Sequence, residues 1–283
     1  MTPSSHPSLY VAPSLAHALD ALAERGAGGA PLAGGTWIMR APLRHEAMSP
    51  AYVGLGRVAE LGRVEVHDDH VVIGAGVTHA RLAEALRDVP DLQGLATAAG
   101  RSANPAVRRA ATVGGNLSTA GFAAADLVPA LLCLEAEVDI ASRAGVQRLT
   151  LEAFLAARDT LEPGRLLTQI RVPRSAARSA HARLPLRKAG DYPVAILSIA
   201  VTRDGSGHVA RVRVAVGSVE PVARLWPALE AALTGAPLDA RSAERAAADL
   251  AEDFNGRDGI DAPGWYRVAV LPALARRAVA ALL

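Results

Sequence analysis

The 283-residue chain contains a single cysteine, Cys133. No intrachain disulfide, CxxC metal site or cysteine-ligated iron–sulfur cluster can therefore be built from it alone. Lying between Leu132 and Leu134, that thiol is expected to be a small core residue. Lysine is as scarce: of 30 basic residues only Lys188 is not arginine, and a compact ammonium in place of a planar guanidinium marks that position. There are only three Trp, four Tyr and three Phe, and no Lys/Arg run is interleaved with them, which argues against nucleic-acid binding. The 30 basic and 28 acidic residues are spread through the chain, so the net charge of +2 marks no patch. No apolar run reaches the roughly 20 residues that span a bilayer, and residues 1–9 lack the basic start and apolar stretch of a signal peptide. A cytoplasmic protein with no membrane span is the expectation.

What is present is a 51% hydrophobic content, enough for two cores at this length. The first half reads as alternating short strands and helices: strands at 8–11, 31–33 and 51–55, a helix from Ser14 to Arg25, and a short helix over 37–41. A hairpin follows at 64–66 and 71–73, then helices over 78–87 and 91–99, an apolar helix over 130–134, a second hairpin at 137–141 and 146–149, and a strand at 166–172. The stretch from Pro173 to Arg183, rich in Ser, Ala and Arg, reads as a boundary. Beyond it come a long antiparallel hairpin, 194–203 and 208–216, and helices over 227–233, 239–252 and 266–283.

Two Gly-Gly segments stand out: Ala33-Gly34-Gly35-Thr36, and Thr112-Val113-Gly114-Gly115-Asn116, 80 residues on. Glycine lets successive backbone N–H groups approach an anion closely, and Thr or Asn adds side-chain donors, so the pair suggests one diphosphate held from both sides. Either segment alone is as well explained as a turn. Gly28-Gly29 reads as the end of the first helix. Ile73-Gly74-Ala75-Gly76 lacks the third glycine of a dinucleotide fingerprint and reads as a strand-to-helix turn. His67-Asp68-Asp69-His70 reads as turn chemistry rather than a metal site.

The segments Leu32 to Thr36, Asn104-Pro105-Ala106-Val107-Arg108 through Thr112 to Leu117, Asp126-Leu127-Val128-Pro129, and Trp265-Tyr266-Arg267 resemble, in order and over nearly the whole chain, the FAD-binding medium subunit of the molybdenum hydroxylases. That family includes xanthine dehydrogenase, carbon monoxide dehydrogenase and aldehyde oxidoreductase types. The resemblance implies an α+β protein: a two-lobed FAD-binding domain of the PCMH/vanillyl-alcohol-oxidase type over residues 1–175, with lobes 1–55 and 56–175, then a smaller α+β domain over 176–283. It implies that Leu32, Ala33, Gly34, Gly35, Thr36, Trp37 and Ile38, with Thr112, Gly114, Gly115, Asn116 and Thr119, wrap the FAD diphosphate. It further implies that Asp126 binds ribose hydroxyls, that Leu166 or Leu167 packs on the flavin ring, and that Lys188 lies near it.

The same resemblance implies no catalytic residue and no metal in this chain. It implies electron transfer from a 2Fe-2S iron–sulfur subunit, itself supplied by a molybdopterin-binding large subunit, to NAD, a quinone or oxygen, in a heterotrimer or a dimer of heterotrimers. Flavin chemistry needs no protein nucleophile or acid–base pair, in keeping with the lack of any triad. The alternatives are a flavin-free docking subunit of such a complex and a stand-alone flavin reductase.

Overall fold

The computed structural model describes residues 7–186 and 192–283. The first lobe is a three-stranded parallel sheet of β1 (Ser8–Val11), β2 (Gly29–Leu32) and β3 (Ala51–Gly54), in the order β1-β3-β2. Helix α1 (Leu15–Arg25) joins the first two strands. Ser14 caps it by accepting the His17 N–H, and Leu19 and Leu22 bury against Val53 and Leu55. The helix ends at Gly26, whose φ of 53° takes the left-handed side of backbone space, so Gly28-Gly29 is not the cap read from sequence: Gly29 already opens β2.

The second lobe is built on a five-stranded antiparallel sheet in the order β4-β5-β8-β6-β7. Its strands are β4 (Val64–Val66), β5 (His70–Gly74), β6 (Glu137–Ser142), β7 (Gly145–Thr150) and β8 (Leu166–Pro173). Between β5 and β6 run the helices α2 (His79–Ala85), α3 (Gln93–Arg101), α4 (Pro105–Ala110), α5 (Val113–Ser118) and α6 (Leu127–Cys133), with α7 (Leu151–Ala157) after β7. Every residue of α6 is buried, Cys133 included, and burial pushes its thiol pKa far up. The second Gly-Gly segment lies in the first turn of α5, directly after α4.

The third sheet is antiparallel, in the order β12-β11-β10-β9, from β9 (Arg178–Pro185), β10 (Pro193–Arg203), β11 (Val209–Gly217) and β12 (Arg224–Leu225). Helices α8 (Pro227–Leu233), α9 (Ala240–Asp249), α10 (Gly264–Ala269) and α11 (Leu271–Ala280) complete it. The single helix expected over 266–283 is two, because Pro272 supplies no N–H to continue a ladder and fits only a new first turn. Arg267, wholly buried, ties α10 to the sheet: its Nη1 donates to the Val194 carbonyl at 2.8 Å, and its Nη2 pairs with Asp261 at 2.9 Å.

Strand β9 lies within what the sequence suggested was a boundary. One face, Ala180, Ala182 and Leu184, joins the core of the third sheet. The other face, Ser179, His181 and Arg183, is polar and meets the second lobe. Ser179 accepts the Gly94 N–H and donates to the Asp91 carbonyl. Residues 179–184 alternate polar and apolar with a strand's period, but alanine is a weak hydrophobic and strand signal, so the stretch reads as a boundary.

Candidate FAD site

Among the described residues no group of three or more His, Cys, Asp or Glu is placed to hold a metal ion, and no helix is long and apolar enough to cross a membrane. A cavity of about 660 Å³ opens where the three sheets converge, within the range of small-molecule sites. Its wall includes Ala33, Gly34, Gly35, Thr36, Trp37 and Ile38 from the first lobe. The second lobe supplies Thr112, Gly114, Gly115, Asn116, Thr119, Asp126, Leu166 and Leu167. Leu32 is not on this wall; its carbonyl accepts the Leu55 N–H. Lys188 lies outside the described residues.

The first loop is pressed against the second lobe. A Cβ on Gly34 would stand 1.9 Å from the Ala110 carbonyl oxygen, so only glycine permits this approach, and Gly35 follows with φ +68°. Among the described residues the N–H groups of Gly34, Gly35, Thr36 and Trp37 meet no acceptor, so four consecutive donors border the cavity. Such a run of unpaired amides is an anion-binding concavity.

The second segment differs. Its N–H groups do not turn outward, as the double glycine suggested, but are consumed within the fold. Val113 donates to the Val77 carbonyl, Gly114 to Ala75, Gly115 to the Thr112 hydroxyl and Asn116 to the Thr112 carbonyl. Thr112 is the N-cap of α5, and capping demands those donors. Asn116 Oδ1 accepts the Leu127 N–H at 3.2 Å, while its side-chain NH2 has no acceptor among the described residues. Thr119 spends its hydroxyl hydrogen on the Gly115 carbonyl.

An aromatic wall completes the cavity. Trp37 and Phe122 have ring centroids 4.6 Å apart, and Phe122 meets Tyr192 edge-on at 5.5 Å. The Arg44 guanidinium lies 3.8 Å from the Trp37 ring centroid and pairs with Glu46, and Arg40 donates to the Tyr192 hydroxyl at 3.2 Å. Flat rings and the Leu166–Leu167 pair suit a planar heteroaromatic ligand.

Buried polar side chains, His79, Ser102 and Asp126 among them, lie at the wall. Ser102 gives its hydroxyl hydrogen to the Ala99 carbonyl, so it accepts from His79 Nδ1 at 2.7 Å, and His79 Nε2 has no partner among the described residues. Burial lowers the pKa of His79 to about 4, with the Asp126 charge opposing, so the ring is neutral at pH 7. Asp126 accepts from Arg183 Nε at 2.8 Å, and His181 Nε2 lies 3.7 Å from the same carboxylate oxygen.

Residues 5–175 match the family model for the FAD binding domain in molybdopterin dehydrogenase, and residues 180–282 match that for the CO dehydrogenase flavoprotein C-terminal domain. The chain belongs to the FAD-binding subunits of the molybdenum hydroxylases. It is 30% identical to the 6-hydroxypseudooxynicotine dehydrogenase complex subunit alpha of Paenarthrobacter nicotinovorans, over 96% of this chain and 93% of that one. Identity is also 30% with the carbon monoxide dehydrogenase medium chain of Afipia carboxidovorans, over 94% and 93% of the two chains. The solved structure of carbon monoxide dehydrogenase from Hydrogenophaga pseudoflava superposes with a TM-score of 0.89 at 26% identity, covering 99% of this chain and 98% of that one.

The molybdenum hydroxylase flavin subunits are oxidoreductase components with FAD as cofactor, and the cavity fits that group: unpaired amides for a diphosphate, a carboxylate for hydroxyls, and flat apolar walls for rings. Sequence reasoning missed Phe122, Tyr192, Arg44, His79 and Arg183. A signal existed for the aromatics, since four of only ten in the chain, Trp37, Tyr52, Phe122 and Tyr192, line one cavity, but nothing in the sequence brings them together.

Proposed function

We propose that this cavity is the FAD site, and that electrons from 2Fe-2S clusters of a partner subunit, supplied in turn by a molybdopterin-binding large subunit, pass through FAD to an external acceptor. The observation that carries this reading is the row of four unpaired amides, Gly34 to Trp37, on the cavity wall. In it, those amides hold the diphosphate, the Asn116 NH2 approaches from the second lobe, and Asp126 accepts from sugar hydroxyls. Leu167 and the Trp37–Phe122 pair enclose the ring and keep water from it. The role of Lys188 beside the ring rests on the family resemblance.

Bound FAD supplies the redox chemistry, linking an electron donor to an acceptor that does not react with it directly. The chain's own residues bind and orient it, and none is required as nucleophile or general base. The relatives named as a complex subunit alpha and as a medium chain support assembly with other subunits, here proposed as a heterotrimer or a dimer of heterotrimers in the cytoplasm.

The test is rapid-mixing spectroscopy of the complex purified with its natural partners. The expected result is flavin absorbance near one FAD per chain, bleaching after the iron–sulfur bands on addition of the reducing substrate. Absence of flavin, or flavin that stays oxidised while the clusters are reduced, overturns the relay. Rapid reduction of the isolated chain by NAD(P)H would instead favour a self-contained reductase.

A further inference from the structure

The FAD-binding domain and the C-terminal domain meet along the polar face of β9, where alternate residues Ser179, His181 and Arg183 point the same way. Two of these contacts are structural: Ser179 links to Asp91 and Gly94, and His181 Nδ1 pairs with Ser198 of its own sheet at 2.9 Å. Arg183 is different, because it hydrogen-bonds a residue of the cavity wall. Its Nε donates to Asp126 Oδ1 at 2.8 Å, and its Nη1 donates to the Arg101 carbonyl at 3.1 Å. Asp126 and Arg183 both line the cavity.

Asp126 is the N-cap residue of α6, yet its side chain caps nothing; that task falls to Asn116 Oδ1, which takes the Leu127 N–H. One oxygen of the carboxylate is fixed by Arg183, with His181 Nε2 beside it, and Oδ2 has no hydrogen-bond partner among the described residues. A buried carboxylate held at one oxygen by a charge-assisted hydrogen bond has a set orientation, leaving the other oxygen for a ligand.

We propose that Arg183, from the C-terminal domain, is the positioning residue of the FAD site: it orients Asp126 of the other domain so that Oδ2 accepts a hydrogen bond from a sugar hydroxyl of FAD. This rests on the cavity being the FAD site. It makes cofactor affinity depend on how the two domains are docked, and by reciprocity bound FAD tightens that docking. The arginine fork suits this task, since it spans Asp126 and the Arg101 carbonyl at once, which a lysine cannot reproduce.

The experiment is FAD titration of the assembled complex after flavin removal, for wild type, Arg183→Gln, Arg183→Lys, Asp126→Asn and the Arg183→Gln/Asp126→Asn pair. The expectation is a loss of about tenfold in affinity for Arg183→Gln and for Asp126→Asn, and no further loss in the pair, because Arg183 acts through Asp126. Arg183→Lys, which keeps the cation, is expected to recover part of the loss and to serve where the glutamine variant does not assemble. Wild-type affinity in Arg183→Gln, or losses that multiply in the pair, overturns the proposal. A wild-type complex that takes up no FAD overturns the underlying reading of the cavity and this proposal with it.

Discussion

The two glycine pairs that look alike in sequence do opposite things. At Gly34-Gly35 the chain leaves a strand, presses against the second lobe and leaves four amides without an acceptor among the described residues; at Gly114-Gly115 it enters a helix and satisfies its amides internally. The first is a surface for an anion and the second is a seat for that surface. Glycine is needed in both for close approach, but only the first segment, which leads into a 3-10 helix (Ile38–Arg44) with no side-chain cap, leaves donors for a ligand among the described residues.

The largest expected effect is at the contact between the two. Gly34→Ala places a methyl 1.9 Å from a backbone oxygen, which no side-chain adjustment relieves. A destabilisation of about 3 kcal/mol or more is expected, with loss of FAD from the purified complex, measured by urea unfolding and flavin absorbance. A variant that keeps wild-type stability would show that the two lobes do not need this contact.

A nearly equal effect is expected beneath the second segment, through His79, whose N–H donates to the Ala111 carbonyl just before Thr112. Its folded pKa of about 4 lies below the ordinary 6.5, so the unfolded chain binds more protons between those values. The stability due to the uncharged ring is complete above pH 6.5, declines as the pH falls towards 4, and totals about 3 kcal/mol. Unfolding midpoints measured from pH 7 to 4.5 should fall more steeply in wild type than in His79→Asn. Equal slopes would place the titrating group elsewhere.

How much of this was legible in sequence follows the same contrast. The strands and helices of the first lobe could be read because Leu19, Leu22 and Val53 keep regular spacing and Ser14 caps its helix. The position of the site was legible from two motifs in family order. The fate of the second segment was not, because Thr112 as an N-cap and Thr112 as a phosphate donor have the same local sequence; the partners Ala75 and Val77 that decide between them lie more than 30 residues upstream. Arg183 was hidden for a related reason: its strand alternates polar residues with alanines, which are weak hydrophobic and strand signals, and the partner of its polar face, Asp126, lies 57 residues upstream.

Smaller paired changes separate the two roles. Thr112→Ala removes the cap on the Gly115 N–H, and Gly35→Ala forces a side chain into φ +68°; each is expected to cost about 1 kcal/mol of stability. Only Gly35→Ala should also weaken FAD binding, since it alone disturbs unpaired amides. Calorimetric unfolding beside FAD titration decides this, and equal losses of affinity would mean that the second segment contacts the cofactor through its backbone after all.

The smallest effect on stability, and the sharpest division, is expected at Asn116. Its carbonyl oxygen accepts the Leu127 N–H at the start of α6, while its NH2 meets no acceptor among the described residues and borders the cavity. Asn116→Asp preserves the acceptor and places negative charge at a helix N-terminus, so the unfolding midpoint should stay within about 0.5 kcal/mol of wild type. The same change replaces a donor by an anionic oxygen facing the diphosphate, and FAD affinity should fall about tenfold or more at low salt. Unchanged affinity with unchanged stability would confine the second segment to support and leave the diphosphate to the four amides of the first loop.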